Sequence, residues 1–337
     1  MFGRVLAAIV VVVVAVGLLV VAWPQLIGVQ QQPIVAQIVS LRGIAVCVAA
    51  LVLVLLLITT AMSRTARRFT GALAVIVLAF GGLQLAVLST RGVATDPLPA
   101  KASGDLTILS WNTLGDAPGS ERIAELAKAQ QADVIVLAET SQETAKAVKS
   151  QLDAAGMPMQ FFGVSYDEIS KARTTDILIS TKLGQYRDAS GSHTTDTLPT
   201  VHAVPLDGHG PSFLATHVVS PVPGEMAGWR QGLRWDANHC VDDTIAAGDF
   251  NSTLDHWDGL GTDGGDLGAC HDAAKATDAA AVGSWPTRLP TLLGAPIDHV
   301  LATAQWKVTG FQVIESQDGA GSDHRPVVAH LSPAAAG

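Results

Sequence analysis

Residues 244–256 read TIAAGDFNSTLDH. Thr244 to Ala247 form a short apolar run with the character of a buried strand. Gly248 follows, Asp249 and Asn251 flank a phenylalanine, and a polar loop begins at Ser252. A strand that closes on a carboxylate and an amide offers chemistry at the edge of a rigid sheet, where loops tend to carry function. Gly248 is read as the turning point that lets Asp249 and Asn251 face one spot.

The same arrangement recurs along the chain. ILSWN closes on Asn112, VIVLAE on Glu139 and FLATH on His217. APIDHV sets Asp298 and His299 at a strand start, and GSDHRPV sets Asp323 and His324 just before the last strand. In sheet enzymes ligands gather at such strand ends. Further strands are expected near 160–164, 176–180, 200–206, 212–218, 298–303, 306–314 and 325–331. Helices are expected after Ser120 (read as an N-cap), from Gln142 to about Ala155, and from Met226 to Asp243. Several strands follow one another without helices, which favours two packed mixed sheets with outer helices over a doubly wound parallel sheet.

The residue types suit one task. Carboxylate oxygens such as those of Glu139 fit magnesium, which is held by one or two carboxylates plus substrate phosphate. A histidine beside an aspartate fits phosphate contact or proton transfer. Asn112 and Asn251 can bind a water or a phosphoryl oxygen without adding charge. Zinc hydrolysis would call for His-x-x-x-His or a close Cys/His set, and a serine hydrolase for Gly-x-Ser-x-Gly; the chain has neither. GTDGGDLGA (261–269) lacks the Lys-Ser/Thr ending of a phosphate loop and reads as a flexible surface loop. Trp285-Pro286-Thr287 reads as packing near the site. His193, His202, His209, His239, His256, His271 and His330 read as surface or structural, and period two turns His299 to the opposite face of its strand.

SWN, LAE, THVVSP, GDFN, IDHV and SDHRPV, in that order, resemble the endonuclease/exonuclease/phosphatase superfamily with its deoxyribonuclease I-like fold. The resemblance spans about Asp105 to Leu331; GDFN and SDHRP are its specific elements. It implies a four-layer α/β sandwich and metal-dependent cleavage of phosphoester bonds. It further implies Glu139 as a Mg2+ ligand with Asn112 beside it and Asp323 near the metal, Mn2+ or Ca2+ being the alternatives. Asp249 would orient or deprotonate the attacking water, and Asn251 would hold the phosphoryl group. His217 would contact a phosphate oxygen, and His324, oriented by Asp298, would be the second catalytic imidazole. Many members place a Tyr or Arg between the Glu and first His stations to grip phosphate; Tyr166, Lys171, Arg173 and Arg230 are the residues available, with a solvated helix face the alternative for Arg230.

The first ninety residues have another character. The 337-residue chain is 48% hydrophobic, with mean hydropathy +0.34, and the excess is concentrated in runs at Val5–Ala22, Gly43–Ala61 and Phe69–Leu88. Each approaches the roughly 20 residues that cross a bilayer. Arg42, at the edge of the second run, is read as snorkelling to the interface. A cleaved signal peptide is the alternative for the first run, but VVAWPQL shows no small-x-small site and further apolar runs follow. Arg4, Arg64, Arg67 and Arg68 place the amino terminus and the second loop in the cytoplasm, leaving everything after the third span outside.

Three parts are therefore expected: a membrane domain (1–92), a Pro/Ala/Gly/Ser linker (93–104) and a catalytic domain (105–332). From Lys101 onward 15 basic residues face 29 acidic ones, a net charge near −14 and a poor match for a nucleic-acid backbone. Cys240 and Cys270, the two cysteines outside the spans, are expected to form one disulfide in an exported domain, with two free thiols as the alternative. Extracellular nucleic acid and lipid or small phosphate esters both remain as substrates. A non-catalytic metal-binding sensor or scaffold is the rival reading. A transporter is disfavoured because the spans carry almost no ionisable residues.

Overall fold

The computed structural model describes residues 2–167, 169–191 and 195–334, so His193 lies outside the described residues. The chain divides into two compact units, Met1–Arg91 and Gly92–Gly337. In the first, α1 (Phe2–Ala22), α3 (Arg42–Met62) and α4 (Arg67–Arg91) are long and apolar enough to cross a membrane, with a short α2 (Val35–Val39) between the first two. At 1.5 Å per residue, α1 and α3 each extend about 31 Å, matching the hydrocarbon core of a bilayer. Arg42 does not snorkel. It is buried, and its guanidinium donates to the Ala22 carbonyl (3.2 Å) and to Gln84 Oε1. Acceptors inside the bundle satisfy the charge, so it need not reach the interface.

The second unit is a sandwich of two six-stranded mixed sheets. Its strands are β1 (Leu106–Asn112), β2 (Val134–Ala138), β3 (Met159–Ser165), β4 (Thr174–Ser180), β5 (Tyr186–Asp188), β6 (Val201–Pro205), β7 (Ser212–His217), β8 (Thr244–Asp249), β9 (His271–Asp272), β10 (Asp298–Ala302), β11 (Trp306–Val313) and β12 (Val327–Pro333). The sheet orders are β11-β12-β1-β2-β4-β3 and β5-β6-β7-β8-β10-β9. Each sheet has one parallel pair, β1 with β2 and β7 with β8, and otherwise antiparallel neighbours. Helices α5 (Gly119–Ala129) and α6 (Gln142–Ala154) cover the outer face of the first sheet, α7 (Met226–His239) covers that of the second, and a single-turn α8 (Ala273–Ala276) follows β9.

Alternation sorts the side chains. Ile108, Val134, Val136, Ile177, Phe213, Ala215, Ile245, Ala247 and Val300 fill the space between the sheets, and Leu109, Trp111, Ile135, Leu137 and Leu178 face α5 and α6. Each fully buried aliphatic side chain stabilises by about 1.5–3 kcal/mol. Following the inner face to the strand ends, period two reaches Asn112 on β1, His217 on β7, Asp249 on β8 and, at its start, Asp298 on β10. The core and the polar cluster are thus one continuous layer, apolar in the middle and charged at one end.

The glycine of the GDFN stretch acts differently from its expected role. Gly248 lies within β8 beside Thr216, and a Cβ there would meet the Thr216 carbonyl oxygen at 1.9 Å. It permits close approach of two strands. The turn comes at Asn251, which has a left-handed φ of 46°.

Cys240 and Cys270 form a disulfide with a Cα–Cα separation of 5.7 Å, tying the end of α7 to the start of β9. Closing that loop stabilises by about 3.5–4 kcal/mol in the chain-entropy model. The 261–269 loop is packed instead of free: a Cβ at Gly268 would lie 2.2 Å from the Ala237 carbonyl, and Asp266 N–H donates to the Cys270 carbonyl (2.7 Å). Residues 93–104 are also anchored. Ala94 N–H donates to the Asp278 carbonyl (2.8 Å), Ala281 N–H to the Gly92 carbonyl (3.0 Å), and Pro99 covers Gly310 of β11.

Candidate active site

The strand ends meet in one hydrogen-bonded set. Asn112 Nδ2 donates to Glu139 Oε1 (2.9 Å) and to Asp249 Oδ2 (3.0 Å), joining the two sheets. Asp249 Oδ1 accepts the Asn251 N–H (2.8 Å), and Oδ2 also accepts Asn251 Nδ2 (3.1 Å). His217 Nε2 stands 3.7 Å from Glu139 Oε1, and His324 Nε2 stands 3.7 Å from Asp249 Oδ2. His324 Nδ1 is 2.9 Å from Asp298 Oδ2. Asp323 is fixed from the side, its Oδ2 accepting Trp285 Nε1 (2.8 Å). All eight residues singled out in the sequence therefore lie at the same end of the sandwich.

Local backbone explains how they project. Glu139 leaves β2 with a φ of 52°, and Asn251 has the same left-handed geometry. Such residues are uncommon and costly outside glycine, and they cluster where side chains must be aimed. Asn251 is held there by its own Nδ2, which donates to the Val218 carbonyl (2.9 Å), and by Trp229 Nε1, which donates to the Asn251 carbonyl (3.0 Å).

Charges are crowded and mostly dry. Burial raises the pKa of Glu139, and Asp323 and Asp298 add to the rise against Asn112 and His324. Burial, with the neighbouring Asp298, pushes Asp249 up to about 6. Burial lowers His217, favouring the neutral ring. Burial also opposes charge on His324, but Asp298 and Asp249 outweigh it and hold the imidazolium up to about 10. Asp298 and Asp249 are direct cross-strand neighbours, a repulsive placement that His324 offsets.

The donor set fits a divalent cation. Oδ1 of Asp323 and Oδ1 of Asp298 are buried without a hydrogen-bond partner, and Glu139 keeps a fifth of its side chain exposed. Hard carboxylate oxygens suit Mg2+, Mn2+ or Ca2+. Asp249, Asp298 and His324 bring three donor atoms within 4.8 Å of one another. Among those three, Asp249 Oδ2 already accepts two amide N–H groups and His324 is paired with Asp298, whereas Glu139 and Asp323 offer oxygens without breaking a pair. Asn112, expected in the metal site, stands beside Glu139, its Oδ1 accepting the Leu114 N–H (3.0 Å) and its amide nitrogen bridging two carboxylates. The geometry gives it a bridging part.

Several supporting residues received no role from the sequence, although Ser322 and Arg325 lie within the SDHRP element itself. Ser322 Oγ donates to the Asn112 carbonyl (2.7 Å) and accepts the His324 N–H (3.0 Å), and Ser284 Oγ accepts the Asp298 N–H (3.1 Å). Arg325, fully buried, sends its guanidinium to Asp318 and to carbonyls of Gly283, Thr287 and Leu289. Among the phosphate-gripping candidates, Tyr166 OH donates to the Thr195 carbonyl (2.7 Å) and Lys171 pairs with Asp116 (2.8 Å). Arg173, the last residue of the 3-10 turn that precedes β4, is exposed, and its Nη2 donates to the Thr197 carbonyl (3.4 Å). His299 points away from the site, bonding Asp272 (2.8 Å) and the Ser252 carbonyl (2.9 Å).

A family model described as the Endonuclease/Exonuclease/phosphatase family matches residues 109–324 and so contains every site residue. The chain belongs to the endonuclease/exonuclease/phosphatase family. It is a phosphoester hydrolase of that family, and two packed sheets with outer helices are its fold. Its catalytic unit is similar to an endonuclease/exonuclease/phosphatase from Beutenbergia cavernae DSM 12333 (20% identity, TM-score 0.50, covering 68% of this chain and 72% of that one). It is similar also to one from Bacteroides vulgatus (17%, TM-score 0.50, 68% and 99%). A third likeness is to D. rerio TDP2 complexed with single strand DNA product (16%, TM-score 0.52, 68% and 100%). At these identities the likeness concerns the fold. No curated protein matches the sequence.

Proposed function

We propose that this chain is a membrane-anchored, divalent-metal-dependent phosphoesterase whose catalytic unit lies on the extracytoplasmic side and hydrolyses phosphodiester or phosphomonoester bonds by in-line attack of water. The observation that carries the reading is the unbroken series from Glu139 through Asn112 to Asp249, His324 and Asp298. Glu139 and Asp323 would hold the ion, with Mg2+ the expected metal and Mn2+ or Ca2+ the alternatives. Such an ion supplies charge neutralisation at the phosphoryl oxygens.

The protein's own groups do the rest. Asp249, raised to about 6, is matched to taking a proton from water near neutral pH while Asn251 and Asn112 fix its direction. His324 stays cationic across that range and donates to a phosphoryl oxygen as negative charge builds there. Asp298 keeps the ring turned toward Asp249, and His217 contacts a phosphate oxygen from the other side. Arg173 is the phosphate-gripping side chain in this assignment. The arginine distribution of the membrane unit and the Cys240–Cys270 disulfide both support an outside location.

The test uses DNA, RNA, bis-p-nitrophenyl phosphate and phospholipids, with and without added Mg2+. Asp249→Ala and His324→Ala should each abolish hydrolysis while the thermal unfolding profile persists, and excess EDTA should do the same reversibly. Full turnover in either variant or in chelator would overturn the mechanism.

A further inference from the structure

Exposed apolar side chains are unevenly distributed over the catalytic unit. Leu114 follows β1, Tyr166 and Ile169 lie between β3 and β4, Val222 follows β7, and Leu292 precedes β10; all five are exposed, Ile169 to 94%. Every one of these loops leaves the sandwich at the end that carries Asn112, His217 and Asp249. Among the described residues, the other large exposed apolar side chains of this unit are Val93, at the entry of the chain, and Leu206 and Val241, at the opposite end. Single exposed apolar residues are ordinary on any surface. Five of them on four loops around one cleft are a rim.

The same chain carries three helices long and apolar enough to cross a membrane, so a bilayer is a surface to which this unit is tethered. The acidic balance of the unit argues against a polyanionic backbone as the surface that this rim meets.

We propose that the loops around the active site form a bilayer-contacting rim and that the enzyme acts on phosphoesters carried by membrane lipids. Apolar side chains at loop tips can enter the interfacial region, and Tyr166 has the amphipathic ring favoured at that depth. The lipid then presents its headgroup phosphate to Asp249 and His324 without leaving the membrane. This inference rests on the phosphoesterase reading.

The full-length protein is reconstituted in phosphatidylcholine vesicles carrying phosphatidic acid or phosphatidylglycerol, and bis-p-nitrophenyl phosphate serves as the soluble substrate. In the combined variant Ile169→Asp, Val222→Asp, Leu292→Asp, lipid turnover should fall by about tenfold or more while turnover of the soluble diester stays within about twofold. Leu206→Asp, at the far end, should change neither. Membrane contact is read independently of hydrolysis: Ile169→Trp should show tryptophan quenching by spin-labelled phosphatidylcholine beyond that of the parent protein. Absence of added quenching, undiminished lipid turnover in the combined variant, or turnover of the soluble diester and DNA but of no lipid would each overturn the proposal. Loss of all turnover in the parent protein with metal, the soluble diester included, would instead overturn the hydrolase reading.

Discussion

Replacing Asp298 by asparagine tests the logic of the site most directly. The substitution keeps shape and volume, and the Asp298 N–H bond to Ser284 is a backbone contact that survives it. What changes is the partner of His324. The imidazolium is held up to about 10 from a reference value of 6.5, against burial, by Asp298 and Asp249. At 1.36 kcal/mol per pKa unit that displacement corresponds to about 5 kcal/mol in favour of the charged ring. Losing a charge in direct contact shifts a pKa by roughly 1–3 units, so the ring of the variant loses its proton well below 10. His324 acts as the protonated form in the proposed mechanism, so raising the pH removes activity. The parent protein should therefore keep a flat kcat to the alkaline limit of the assay. Asp298→Asn should show a descending limb displaced toward neutrality by about 1–3 pH units, with a loss of up to about tenfold at pH 8 that deepens about tenfold with each further pH unit. Steady-state hydrolysis of bis-p-nitrophenyl phosphate across pH, with saturating metal, measures both. A variant with the parent's kcat and the parent's alkaline limb would refute the assignment of Asp298 and His324 as a working pair.

Asn112→Ala removes the amide that separates Glu139 from Asp249. Apparent metal affinity, titrated through activity, should weaken by about 10- to 100-fold, and unchanged affinity would show that the bridge is unimportant. Asp236, on α7 beneath β7, is buried and raised to about 8 from 3.8, its Oδ1 accepting Thr216 Oγ1 (3.0 Å). The folded form keeps a proton that the unfolded form gives up near 3.8. The contribution to stability is thus complete below about pH 4 and lost as pH climbs toward 8, on the order of 5 kcal/mol in all. Asp236→Asn should flatten the decline in Tm between mildly acidic and mildly alkaline buffer, and an unaltered slope would count against it. Cys240→Ser with Cys270→Ser should lower stability by about 3–4 kcal/mol in denaturant titration, while kcat of the folded enzyme is retained; equal stability would contradict a constraining role.

Much of the architecture could be read from short apolar runs that close on a polar residue. ILSWN, FLATH and TIAAGD are buried on both faces, so no alternation marks the inner one, and the polar terminus alone announces the site. Edge elements were opaque. β5 and β9 have three and two residues, too few for a pattern, and exist only because β6 and β10 supply partners. α5 begins at Gly119 after Pro118, and Ser120 Oγ accepts Gln151 Nε2 (3.1 Å) instead of capping. Ser322, Ser284 and Arg325 matter through contacts with residues distant in the chain, which no local window contains. Arg42 illustrates the same limit, since its partners Ala22 and Gln84 lie on other helices.

Arg325 carries a consequence for motion. It adjoins His324, and its guanidinium nails the 283–289 segment and Asp318 to the start of β12. That flank behaves as an anvil: Asp298, Asp323 and His324 share one clamp and shift together or not at all. Less constrained is the opposite bank, where the exposed Arg173 stands just before β4 and donates to the Thr197 carbonyl.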